Sequence, residues 1–345
     1  MSDVAARDAA APANPPLWRR ARWIVGLAVL LALPFLANAF LLDLANQMLL
    51  AGIGALALML LTGFAGQISL GSAGLLAAGA FTVGILFREL AMPFWVTLPL
   101  ATLVGALIGV LFGLPSLRLR GLYLAISTLA LHFIVIYVGG EYEASRSFSA
   151  GILVDPPVVF GYEVYGGFNW YFVLLAALAL TWFICDNLIR SRTGRAWAMV
   201  RTKETVAAAI GIDVARAKLL AFVIASALTG FAGGLFAYYR GFVSIEAFSL
   251  YLAVQYVAMI IIGGIGSLPG ALLGAAFVTV LPYGIEALLF ALPGANQYAG
   301  AAFAANYAAF GLIMILFLAF EPHGLIGIWR RIAKRFAGRG GRGNG

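Results

Sequence analysis

Between Ala21 and Phe320 the sequence passes through about ten apolar runs, most of them close to 20 residues long, and nothing else in it constrains the fold as strongly. At 1.5 Å of rise per residue, a helix of about 20 apolar residues crosses the roughly 30 Å hydrocarbon layer of a bilayer. Backbone amides and carbonyls in lipid must bond within their own segment, so such runs are read as helices. A transmembrane barrel would show short alternating segments instead. With 63% of residues apolar and 10% charged, against about 25% charged in soluble domains, the chain is expected to be an all-α polytopic membrane protein.

The expected spans are Ala21 to Leu42, Leu44 to Thr62, Gly71 to Phe87, Phe94 to Leu114, Gly121 to Gly139, Phe168 to Ile189, Leu219 to Tyr239, Ala247 to Gly263, Gly270 to Phe290 and Ala302 to Phe320. In this reading residues 1–20 are a disordered tail, 21–325 the membrane domain, 190–217 a cytoplasmic loop within it, and 326–345 a basic tail. The apolar run from Trp23 ends near Ala37-Asn38-Ala39, which resembles a signal-peptidase site, but Phe40, Leu41 and Leu42 prolong it, favouring a retained span.

Short cytoplasmic loops carry the excess of Lys and Arg. Placing the N-terminus inside puts 19 of the 22 bases on the cytoplasmic side. Arg88, Arg146 and Arg240 fall outside, among the outer acids Asp43, Glu89, Glu141, Glu143, Asp155, Glu163 and Glu246. Both termini are therefore expected in the cytoplasm. The formal net charge of +8 is mainly a topology signal, and the Arg/Gly tail is not read as binding nucleic acid.

The sequence carries no phosphate-binding loop, no His-Glu-x-x-His helix, no Cys/His cluster and no nucleophile elbow, so neither an enzyme activity nor a cofactor is expected. Carboxylates deep in the spans would mark ion coupling. They are nearly missing, Glu286 lying close to the outer end of its span, which disfavours a secondary transporter.

Glycine placement is more informative, because breaks in membrane helices survive only where backbone is buried in protein or lines a cavity. One break runs from Gly63 to Gly74 with Gln67, Ser69 and Ser72, and a second from Gly263 to Gly270 with Gly264, Gly266 and Ser267. One in each half of the chain is the pattern of an internally repeated transporter with its path near the repeat interface. These residues, with the mid-span His132, are the candidate translocation-path residues. Close helix packing through small residues is the competing explanation.

From Asp186 to Lys218 the chain gathers ten of its 36 charged side chains, seven of them basic. Placing seven bases in lipid would cost roughly 20 kcal/mol, at about 2.5 to 3.5 each, so this island stays in water. Ala196, Met199, Val200, Ala207 and Ile210 recur at helical spacing, and Gly211 offers a stop, predicting one amphipathic helix over Gly194 to Gly211. Composition alone fits either anionic headgroups or a soluble partner.

The residues Gly194-Arg195-Ala196, Arg201 with Glu204, Ala207 and Gly211, and then Lys218 to Phe222 and Gly230 to Gly233, resemble the permeases of branched-chain amino acid ABC importers. Leu117 to Ile126, Gly66 to Gly71 and Ile262 to Ser267 resemble other signatures of that family, most like its M-type subunit, over about residues 40 to 320. The resemblance implies an inner-membrane subunit that pairs with a second homologous permease, two cytoplasmic ATPases and a periplasmic solute-binding protein. It makes the island the coupling helix, with Gly194, Arg195, Arg201, Lys203, Glu204, Ala207 and Gly211 as ATPase-coupling residues. The chain departs from the family at Leu122 and Lys203, where acids are usual, and at His132-Phe133, where Gly-Glu is common, so the solute is expected to be a branched-chain amino acid or another small molecule.

Overall fold

Helix α4 (Phe94–Ser116) inverts the pattern of a soluble helix. Leu103, Leu107, Leu111 and Leu114 are exposed along one face, while Ala101, Gly105, Gly109 and Gly113 are buried on the other. With lipid as solvent, large apolar side chains gain nothing by turning inward, and small residues let backbones approach. A Cβ added at Gly105 would lie 2.5 Å from the Ser226 carbonyl oxygen of the long helix α9 (Val214–Arg240).

The computed structural model describes residues 30–117, 119, 121–146, 151–159, 161–290, 308–316, 324–327 and 331. The described part of α1 covers residues 30–36. Helix α2 (Ala39–Leu58) runs on into a π-helical turn, Met59–Phe64. Then come α3 (Ser72–Leu90), α4, α5 (Leu122–Ser145), α6 (Gly166–Arg190), α7 (Arg192–Thr202), α8 (Glu204–Ala209), α9, α10 (Leu250–Gly263), α11 (Leu268–Phe290) and α12 (residues 308–316). Outside the helices, β1 (Ile152–Leu153) pairs antiparallel with β4 (Phe242–Val243), and β2 (Val158–Val159) with β3 (Tyr162–Glu163).

Seven helices among the described residues are long and apolar enough to cross a membrane. The chain is a multi-pass membrane protein. The expected number of about ten spans is not reached in these residues, for two reasons. The outermost two, Ala21 to Leu42 and Ala302 to Phe320, lie only partly within them, and most of the two tails lies outside. The span expected from Ala247 is instead the 14-residue α10, preceded by a 3₁₀ turn at Ile245–Phe248 and about 21 Å long, too short to cross alone. Asp43, expected in an outer hairpin, is inside α2: Asn38 Oδ1 accepts from Leu41 N at 2.9 Å and caps the helix ahead of it.

The chain divides into two compact units, residues 1–43 and 44–345, and the charged island and both glycine-rich segments belong to the second. Its centre is α9, which meets α3 and α4 through Gly230 and Gly233: a Cβ at Gly233 would sit 2.0 Å from the Leu76 carbonyl oxygen. Helices α10 and α11 form an equally close hairpin, with Gly274 against the Met259 carbonyl.

Candidate functional site

The charged island folds as a corner rather than as one helix. Ser191 caps α7, its Oγ accepting from Thr193 N at 3.1 Å and Gly194 N at 3.4 Å. Gly194 is required by contact, since a Cβ there would lie 2.1 Å from the Ile189 carbonyl oxygen at the end of α6. Lys203 is extended (φ −154°, ψ 108°) and turns the chain into α8, correcting the single helix expected over Gly194 to Gly211. Gly211 (φ +88°) ends α8 as the periodicity implies. Its amide reaches the Ala208 carbonyl at 3.0 Å and Ile212 N reaches Ala207 O at 3.0 Å, the paired bonds of a Schellman stop.

The inward face is Gly194, Trp197, Val200 and Ala207, and the Trp197 indole donates to the Ala217 carbonyl at 2.8 Å. The periodic pattern passed over Trp197, the largest of these anchors. Met199 and Ile210, placed on the apolar stripe, are in fact 41% and 60% exposed, and Val206 beside them is 46% exposed. Arg195 is exposed and donates to the Arg190 carbonyl at 3.1 Å. At the start of α8, Glu204 pairs with the buried Lys218 at 2.5 Å, and the Lys218 carbonyl accepts from Gln67 Nε2 at 2.9 Å.

Arg201, exposed on one side, touches the membrane domain on the other. Its guanidinium donates to the Gly63 carbonyl at the end of the π-helical turn. A Cβ at Gly66 would meet Arg201 Cγ at 2.8 Å, and one at Gly266 would meet Arg201 Nη1 at 3.2 Å. The chain is non-helical at residues 65–71 and 264–267, and the second of these segments touches the π-helical turn that leads into the first, with Gly266 N directed at Met59 Sδ, 3.2 Å away. One arginine of the island therefore lies over both glycine-rich segments. Gly66, Gly264 and Gly266 have φ of +73°, +112° and +88°, conformations that L side chains rarely adopt.

The other candidate path residues are packed. Ser69 Oγ accepts from Gly71 N at 3.2 Å, and Ser267 Oγ from Gly270 N at 3.3 Å. Leu70 N donates to Thr128 Oγ1 at 2.9 Å, tying the first break to α5. Ser72 and His132 are buried, and neither Ser72 Oγ nor His132 Nδ1 has a hydrogen-bond partner. Gly263 is pressed against the Gly270 carbonyl. None of these residues lines the open cavity of about 450 Å³ among α2, α3, α9, α10 and α11. That cavity gave no local signal, because its walls come from residues between Gln47 and Tyr283. Among the described residues no group of three or more His, Cys, Asp or Glu side chains could hold a metal ion.

Residues 40–319 match the family described as the permease component of the branched-chain amino acid transport system. The chain is 32% identical over 337 residues to the high-affinity branched-chain amino acid transport system permease protein LivM of Salmonella typhimurium, covering 91% of this chain and 76% of that one. The Escherichia coli protein of the same name is 32% identical over 333 residues, with 89% and 75% covered. The autoinducer 2 import system permease protein LsrC of Enterobacter sp. strain 638 is 31% identical over 208 residues, 57% of each chain. No solved structure matches. With its apolar helices, paired glycine segments and basic corner all inside the matched region, the chain belongs to the family of branched-chain amino acid transport permease components.

Proposed function

We propose that this chain is a membrane-spanning subunit of an ATP-driven importer in the bacterial inner membrane, moving a branched-chain amino acid or a related small solute. A second homologous permease, two cytoplasmic ATPases and a periplasmic solute-binding protein complete the assembly, and both termini lie in the cytoplasm. The observation that carries the reading is Arg201: it joins the island to both glycine segments at once. Met199, Val206 and Ile210 point away from the bundle with Lys203 at the corner between them, an apolar ridge with bases that suits docking in a groove of a soluble partner.

In this reading, closure of the ATPases moves the α7–α8 corner as a unit. Trp197 and the Glu204–Lys218 pair carry the displacement to α9, and Arg201 carries it to the two breaks, where positive-φ glycines absorb the change. The transition is a shift between two packings with no chemistry on the solute. Affinity purification in mild detergent tests it: an ATPase and a second permease are expected to co-purify with the native chain and to be lost with Ile210→Asp. Solute uptake by the purified chain alone, driven by an ion gradient, would overturn the reading.

A further inference from the structure

The cavity among α2, α3, α9, α10 and α11 lies at the end of the bundle opposite the α7–α8 corner. Gln47 in its wall and Gly63 under Arg201 are sixteen residues apart on one continuous helical stretch, about 24 Å at 1.5 Å per residue. Its volume of about 450 Å³ is in the range of roughly 300 to 1,000 Å³ found for small-molecule sites.

Most of the wall is apolar, including Leu50, Leu76, Phe248 and Met259, with polar atoms at a few points. Tyr283 donates to Gln47 Oε1 at 3.3 Å, and Gln255 and Thr279 also face the space. Among the described residues, Arg240 is the one charged residue lining it. Its guanidinium carbon stands 5.9 Å from the Phe236 ring centroid and 5.8 Å from that of Tyr239.

The other bases expected on this side are placed differently. Arg146 is paired with Glu89 at 3.1 Å. Arg240 forms no ion pair with any carboxylate of the described residues. Glu246, next to the wall residue Ala247, accepts instead from the Ser244 hydroxyl, a bond that holds its pKa below the usual carboxylate value. An aromatic-backed cation over an apolar chamber, with Glu246 held by Ser244, is complementary to a carboxylate carrying an apolar side chain.

We propose that this cavity is a solute-binding site in which Arg240 takes the α-carboxylate of a small apolar amino acid and the walls of α2 and α10 take its side chain. The proposal rests on the permease reading, and it adds the site and the residue that would select for the carboxylate. A base in the last turn of α9 also suits the helix dipole, so the test must read charge inside the cavity.

Cys185 is the chain's single cysteine and is fully buried, so a thiol introduced by Ala51→Cys or Leu252→Cys, both in the wall, is the reactive one. The full-length chain in lipid nanodiscs is treated with an anionic sulfonate thiosulfonate and with its cationic trimethylammonium counterpart. The anionic reagent is expected to react about fivefold faster or more, the order expected for one nearby, partly screened charge. Arg240→Gln should abolish the preference and Arg240→Lys should keep it. L-leucine should slow modification, while L-leucinamide, which lacks the carboxylate, should not.

A preference that survives Arg240→Gln, equal protection by both compounds, protection by neither, or no reaction at either thiol would overturn the proposal. None of these measurements needs an ATPase. A failure of the assembled importer to take up solute would therefore count against the permease reading and leave the labelling result standing.

Discussion

Arg201 and Gly66 are a matched pair, because the arginine stem occupies the space where a Cβ at residue 66 would stand. A charged hydrogen bond of the kind Arg201 makes to the Gly63 carbonyl contributes about 1.5 to 3 kcal/mol. Arg201→Met is expected to leave ATP hydrolysis by the assembled importer running while solute moved per ATP falls at least about tenfold, the equivalent of 1.4 kcal/mol of lost coupling. An unchanged ratio of uptake to hydrolysis would remove Arg201 from the coupling route. Gly66→Ala combines the clash with about 1 to 2 kcal/mol for an L side chain at positive φ, and should lower the thermal midpoint as well as uptake.

At the scale of elements, α8 has six residues, far below the roughly 12 to 15 at which an isolated helix becomes marginal in water. It persists because Ala207 is buried, because Gly211 closes its last carbonyls and because Glu204 is held by Lys218. Lys218→Met leaves a partly buried carboxylate without that cation and should cost about 2 kcal/mol. The Lys218→Met/Glu204→Gln double variant should recover part of the loss in a thermal-unfolding series. Trp197→Ala removes the main anchor of α7 and its bond to Ala217, for an expected loss of about 3 to 5 kcal/mol. If that variant keeps the wild-type midpoint, the corner is not held as described.

The molecule as a whole is arranged for lipid outside and close glycine contact inside. Leu107→Arg on the exposed face of α4 should cost about 2.5 to 3.5 kcal/mol of insertion free energy, seen as reduced membrane-inserted protein, whereas Leu107→Phe should be neutral. Most of the run lengths, the charged island, the glycine-rich segments and the stop at Gly211 were legible in the sequence. Each is a local or periodic signal set by bilayer thickness, charge desolvation or backbone sterics. Spacing could not say that Lys203 would be extended, because two short helices and one long one share the same apolar repeat. Nor could it say that Met199 and Ile210 face outward while Trp197 faces inward, since periodicity marks an apolar stripe without naming what covers it. The sequence alone therefore determined the class of this protein and where its apolar runs and glycine-rich segments fall. Only the tertiary structure decided that Arg201 bridges residues 63 and 266 and that Arg240 lines a cavity with Gln47 and Tyr283, because proximity across about 40 to 200 residues arises from packing and leaves no local mark on the chain.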